Sequence, residues 1–275
     1  MDVGILGLAF SLLRWKEGRK ADIWGEYCAN KSPLLSREES KELEDLARRL
    51  KELEDEAKCL GARLVLPSDL DTSHLQSGLP YPVALWVRGT LPPPTACLAV
   101  VGSRAASAQG LKRAFRLGED LTAAGIGVVS GLAKGIDASA HLGAMKAGAT
   151  WGLLGSGLRR LYPPDNIPLM EKMVRSGGGV VTCFPPDDEP LPWHFPKRNL
   201  LMVAWVRGVV VVEAKVKSGS LVTAKLALDV GKDVWAMPGA PDDPCSEGTN
   251  ALLREGAAYF ARDAKDVLED MGSIF

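Results

Sequence analysis

The chain has 275 residues, of which 46% are apolar and 24% charged, the balance of a soluble globular protein with one large domain or two smaller ones. The formal net charge of -1 excludes a global basic field, so any polyanion site must be a local patch. The five cysteines (Cys28, Cys59, Cys97, Cys183, Cys245) are scattered and contain no C-x-x-C, and His74, His141 and His194 form no metal-spaced cluster with them. A disulfide framework and a zinc site are therefore excluded, a reducing cytosol is the natural compartment, and neither metal nor cofactor is expected.

In chain order, the apolar run 3–13 is too short to span a bilayer. An acid precedes it and bases follow it, the reverse of a signal peptide's charge order. It reads as a small packed helix, so no targeting segment and no membrane partner are expected. Residues 1–60 form an N-terminal helical region. Ser36 and Glu39 make an S-x-x-E capping box ahead of a stretch in which Leu43, Leu46, Leu50, Leu53, Ala57 and Leu60 recur at three- and four-residue steps. That stripe suits a two-heptad coiled-coil seam or a helix packed on its own domain, and its shortness favours the second.

Residues 61–67 and 82–89 are strand candidates, and 91–96 (LPPPTA) reads as a stiff linker. The expected division is 1–60, 61–96 and 97–275, with the main boundary near the linker. Beyond it, apolar runs at 97–102, 126–131, 150–155, 178–182, 208–213 and 233–239 alternate with helix-length segments near 107–124, 135–147, 165–176, 197–206, 219–230 and 248–255. Near-continuous apolar strands predict a parallel sheet covered on both faces. The alternation predicts an α/β doubly wound, Rossmann-like sheet with ligands beyond its carboxyl edge. The terminal residues leave no room for a third domain.

Five loops should gather along that edge. The first, 100–110, carries Gly102 for close backbone approach, Ser103 and following N–H groups as donors, and the Arg104 fork. The second, 130–137, has Gly131 and Gly135 with Lys134 between them. The third, 154–166, brings Arg159 and Arg160. The fourth, 193–199, brings Lys197, Arg198 and Asn199. In the fifth, 212–224, Ser218, Gly219 and Ser220 open a helix beside Lys215 and Lys217. Glycine turns ahead of helices present N–H groups and a positive dipole end, which suits an anion. A dinucleotide, a nucleotide and a nucleic-acid backbone all fit that description. No G-x-G-x-x-G, P-loop or G-x-S-x-G is present, so dinucleotide, ATP and serine-hydrolase chemistry lack their signatures. Such turns also occur in every doubly wound fold, and basic side chains near them are commonly just solvated.

Two acids read as positioning groups rather than catalysts: Asp137 in a helix first turn and Glu213 at a strand end, where it can fix basic groups or loop N–H groups. Trp151, Trp205 and Trp235 read as core. Tyr162, Trp193 and Phe195 lie in loops among arginines, placed either to stack on exposed bases or to pack over the loops.

The blocks GSR (102–104), SGLAKGIDASAH (130–141), LGSGLRRLYPPDN (154–166), FPKRN (195–199), VVEAKVKSGSLVTAKLAL (211–228), VWAMPG (234–239) and SEGTNALLREGA (246–257), with the stretch 69–91, together resemble the DNA-processing protein A (DprA/Smf) family. The resemblance implies an extended Rossmann fold without dinucleotide chemistry. It implies a non-enzymatic dimer that binds and protects single-stranded DNA and loads the RecA recombinase during natural transformation. It places the basic pocket at Arg104, around Arg159 and Arg160, at Arg198, and at the SGS turn with its lysines, which makes the expected anion a sugar-phosphate backbone. Two departures stand out. Asn199 is followed by LLMVAWVR rather than R-I-I-A-G-L-S, and the winged-helix tail of some members is missing. The rival is an enzyme of the lysine-decarboxylase-like fold family, which hydrolyses nucleoside monophosphates at the same sheet edge. Its P-G-G-x-G-T-x-x-E signature is absent, and KSGSLVTA stands at the comparable turn.

Overall fold

The computed structural model describes residues 3–13, 15–29, 31, 33–69, 79, 83–93 and 96–273. His74 and most of the resemblance over 69–91 lie outside the described residues. Helices α1 (Val3–Leu12), α2 (Glu17–Cys28) and α3 (Arg37–Cys59) make the N-terminal region. The capping box forms: Glu39 N–H donates to Ser36 Oγ at 3.1 Å and Ser36 N–H donates to Glu39 Oε2 at 2.7 Å. The α3 stripe buries Leu43, Leu46, Leu53 and Ala57 within the chain's own core, so α3 is a domain-packed helix.

The nine strands are β1 (Arg63–Val65), β2 (Leu85–Gly89), β3 (Cys97–Val101), β4 (Gly127–Ser130), β5 (Thr150–Leu153), β6 (Gly179–Thr182), β7 (Gly208–Val211), β8 (Asp233–Ala236) and β9 (Tyr259–Phe260). They form one sheet in the order β1-β2-β6-β5-β4-β3-β7-β8-β9. From β6 to β9 every neighbouring pair is parallel, whereas β2 runs antiparallel to β6, with Val87 opposite Val181, and β1 antiparallel to β2. The helices between and after the parallel strands are α4 (Ala108–Ala123), α5 (Ile136–Ala147), α6 (Ile167–Arg175), α7 (His194–Trp205), α8 (Gly219–Asp229), α9 (Glu247–Arg254) and α10 (Ala264–Ser273).

Strand alternation sorts two buried faces. Leu98, Val100, Val128, Val210 and Trp235 pack with Leu117 and Leu121 of α4, Ala140 of α5, and Val267 and Met271 of α10. Ala99, Val101, Val129, Val209 and Val211 pack on the other side with Leu201–Val206 and with Ala224 and Ala227 of α8. Both faces are covered, as near-continuous apolar strands require. Trp151, Trp205 and Trp235 are all buried core.

Three local findings differ from the sequence reading. Helix α7 begins at His194, so most of WHFPKRN, expected as a loop, is helical. Pro196 sits in the first turn, where its missing N–H has no intrahelical acceptor to lose. The 91–96 stretch, expected as a linker, is bonded to the core at its described residues: Trp205 Nε1 donates to the Pro92 carbonyl at 3.1 Å. The chain after α9 adds β9 and α10 to the same sheet and layer.

The LLMVAWVR departure carries α7 to its end at Trp205, and Leu201 to Val206 are all buried. Its exposed-carbonyl end is capped by Lys232, whose Nζ donates to the carbonyls of Val203, Ala204 and Val206 at 2.6, 3.0 and 2.6 Å. The topology then fixes the site. From β3 the chain steps through β4, β5 and β6 in one direction, and returns to lay β7 on the other side of β3. The carboxyl ends of β3 and β7 flank the point where the order reverses, the crevice in which doubly wound folds bind ligands.

Candidate functional site

An open pocket of about 440 Å³ lies at that reversal point. Five elements line it: the turn after β3 (Gly102 to Ala105), the turn from β4 into α5 (Ala133, Asp137), the first turns of α7 (Phe195, Arg198, Asn199, Met202), the turn after β7 (Lys215, Lys217) and the N-terminus of α8 (Ser218, Gly219, Ser220, Thr223). Arg104, Lys215 and Lys217 are exposed, and none forms an ion pair among the described residues. The backbone N–H groups of Arg104, Ala105 and Gly219 likewise have no hydrogen-bond partner among the described residues. Ser218 caps α8 by accepting from Ser220 N–H at 3.3 Å, and the helix dipole adds positive potential at the same mouth.

Buried groups hold this surface in shape. Arg198 is only 6% exposed. Its Nη1 donates to the carbonyls of Gly131 at 2.7 Å and Leu153 at 2.6 Å, and its Nε to Asn199 Oδ1 at 2.9 Å. One guanidinium thereby ties α7 to the ends of β4 and β5. Burial pulls its pKa down to about 10, with Asp137 opposing that shift and Arg104 adding to it, so it remains a cation at neutral pH. Asp137, in the first turn of α5, accepts from Gly131 N–H at 3.0 Å and Ala133 N–H at 3.4 Å. Burial pushes its carboxyl above the usual range, and Arg198 pulls it back. Glu213 is buried and accepts from Ser107 N–H at 2.9 Å and Ser107 Oγ at 2.7 Å, which anchors the start of α4 to the end of β7. Both acids fix loop N–H groups, the role expected of Glu213; Asp137, expected as a first-turn acid favoured by the helix dipole, does so as well.

The residues singled out from sequence fall into three groups. Gly102, Ser103, Arg104, Arg198, Asn199, Lys215, Lys217, Ser218, Gly219 and Ser220 all line the pocket. Gly131 and Gly135 shape it from behind. Gly135 has φ +79°, and a Cβ there would collide with the Ser103 carbonyl oxygen, so the turn after β4 packs directly against the turn after β3. Ser103 N–H donates to the Glu213 carbonyl at 2.8 Å. The third group is placed elsewhere. Lys134 pairs with Asp165. Arg159 pairs with Glu56 of α3 at 2.8 Å and with Asp187 at 2.6 Å, and Arg160 with Glu189 at 3.4 Å. Lys197 faces a separate groove, with its Nζ 5.9 Å from the centre of the Phe184 ring.

Sequence reading missed Met202 and Thr223 as lining residues. Each lies one turn after a residue already picked, Asn199 and Ser220, and the i+3 spacing carries that signal. Phe195 joins the pocket as a half-buried ring, with the Arg104 and Arg198 guanidinium carbons at 5.2 and 5.8 Å from its centre.

A doubly wound sheet with a basic, N–H-rich crevice at its reversal point is a Rossmann-like architecture. The sequence model of the family described as DNA recombination-mediator protein A matches residues 67–272. The chain belongs to that family. It is 38% identical over 211 residues to Protein Smf of Escherichia coli, covering 75% of this chain and 56% of that protein, so it spans little more than half of this relative's length. The X-ray structure of DNA processing protein A from Streptococcus pneumoniae superposes with a TM-score of 0.77 at 31% identity, covering 98% of both chains. A Helicobacter pylori DNA processing protein A structure, whose description concerns its single-stranded DNA binding mode, superposes with a TM-score of 0.66 at 25% identity, covering 74% of this chain and 93% of that one.

Proposed function

We propose that the pocket holds the sugar-phosphate backbone of single-stranded DNA and that the chain acts as a binder rather than an enzyme. The observation that carries this is the convergence of Arg104, Lys215 and Lys217, which have no carboxylate ion pair among the described residues, on the N–H groups of Arg104, Ala105 and Gly219, which have no partner among those residues either. Charged side chains and N–H groups grip phosphates without reading bases. The carboxylates nearby, Asp137 and Glu213, accept loop N–H groups and so position the loops. Family membership and the single-strand binding described for the H. pylori relative support the same ligand. A flexible unpaired strand enters a pocket of this size, whereas a stiff duplex meets only its rim.

The family resemblance extends the reading: a cytoplasmic homodimer that protects the strand and passes it to a RecA-type recombinase during DNA uptake. Among the described residues no helix is long and apolar enough to cross a membrane.

The test is fluorescence anisotropy with a labelled oligo-dT and a duplex of equal length, for wild type and Arg104→Ala. Preference for the single strand, weakened at least tenfold by the substitution, supports the reading. No binding to oligo-dT at low salt overturns it.

A further inference from the structure

The first turn of α7 has two faces. Phe195, Arg198, Asn199 and Met202 look into the phosphate pocket, at i, i+3, i+4 and i+7. Trp193, His194, Lys197 and Leu200 look into a second groove of about 840 Å³ between the N-terminal helices and the stretch 184–191. Trp193 is 66% exposed, whereas Trp86, Trp151, Trp205 and Trp235 are buried. The Trp193 ring puts a large, flat aromatic face at the groove mouth. Its setting is rigid. The ring stands edge-on to His194, with centroids 6.2 Å apart, and His194 is stacked on Phe184 at 3.9 Å.

The charges around the groove select among ligands. Glu17, Asp187, Asp188 and Glu189 line it with Lys20 and Lys197, and Lys20, Arg159 and Arg160 pair with Glu17, Asp187 and Glu189, so the groove offers no cationic excess for a phosphate. Aromatic faces between balanced charges suit the other half of a nucleotide, the flat neutral base. The two cavities share one helical turn, so a strand crossing it can leave phosphates on one side and a base on the other.

We propose that Trp193 is a stacking platform for an unpaired base of the strand whose phosphates occupy the Arg104 pocket. This rests on the single-strand reading of that pocket. It also supplies a reason for strand selectivity, because a base within a duplex is already stacked and paired and cannot turn onto the ring.

The experiment compares oligo-dT with an abasic oligonucleotide of the same length, followed by anisotropy and by tryptophan emission, for wild type, Trp193→Ala and Trp193→Phe. The expected results are that wild type binds oligo-dT roughly tenfold tighter than the abasic strand and that oligo-dT quenches its emission. Trp193→Ala should bind both strands at the abasic level with an unchanged melting temperature, and Trp193→Phe should recover most of the preference. Equal affinity of wild type for both strands, or a Trp193→Ala variant that keeps the preference for oligo-dT, overturns the platform and leaves the phosphate pocket standing. Binding of neither strand by wild type overturns both.

Discussion

Replacing Arg198 should cost the fold as well as the ligand. Its guanidinium is buried, and three hydrogen bonds of 2.6 to 2.9 Å join α7 to the Gly131 and Leu153 carbonyls and to Asn199. Truncation to alanine leaves two carbonyl acceptors without their donor, at about 1 to 3 kcal/mol each if they stay dry. It also removes the cation whose field favours the buried Asp137 carboxylate. The guanidinium's own burial, which pulls its pKa down to about 10, is a penalty that truncation removes. The balance is a loss of about 3 kcal/mol, a large share of the roughly 5 to 15 kcal/mol that holds a typical protein folded. Urea denaturation at fixed protein concentration measures it. Arg198→Lys should fall between, because a single ammonium cannot serve all three acceptors. Arg104→Ala, on the surface with no ion pair, should stay within about 0.5 kcal/mol of wild type while losing strand affinity. The reasoning is refuted if Arg198→Ala unfolds at the wild-type urea concentration yet no longer binds DNA. Arg198 would then be a phosphate ligand and not the tie between loops.

Four further outcomes follow from particular contacts. Gly135→Ala should destabilise by about 2 kcal/mol or more, through its positive φ and the collision with the Ser103 carbonyl oxygen. Gly219→Ala meets nothing within 4 Å and should keep the wild-type melting temperature, so any loss of strand affinity there reports the ligand's approach to α8. His141 is buried, its Nδ1 lies 2.8 Å from Thr150 Oγ1, and burial lowers its pKa to about 3. The folded state therefore binds fewer protons than the unfolded state, whose histidine titrates near 6.5. This contribution is fully present above about pH 6.5 and is lost as pH falls towards 3, by up to about 5 kcal/mol, so His141→Gln should flatten stability over that window. Lys232→Met should lower the unfolding free energy from urea denaturation by about 2 kcal/mol, because the Val203, Ala204 and Val206 carbonyls lose their common donor.

Legibility in the sequence tracked how local each determinant is. Strands β3 to β8 were readable because each is an unbroken apolar run, and the Ser36–Glu39 box marked the start of α3. Strand β9 was not readable: it is two residues long, and both Tyr259 and Phe260 are exposed. Helix α7 began earlier than expected because Pro196 reads as a breaker until its first-turn position is known. Within the site, Arg104, Lys215 and Lys217 were legible because they directly follow strand ends. Lys197 and Arg198 are neighbours in sequence but point into different cavities, and only the helix phase separates them. Arg159 reads as a free cation until Glu56, 103 residues away, is seen to pair with it.

The central claim is that specific side chains in this pocket neutralise phosphates of an unpaired strand. The most direct measurement is the slope of log affinity against log salt for oligo-dT, in wild type and in Arg104→Ala, Lys215→Ala and Lys217→Ala. Each phosphate contact removed should reduce the slope by about 0.7, so each variant should bind more weakly at low salt and lose affinity less steeply as salt rises. Variants that weaken binding while keeping the wild-type slope, or that leave both unchanged, would contradict the account.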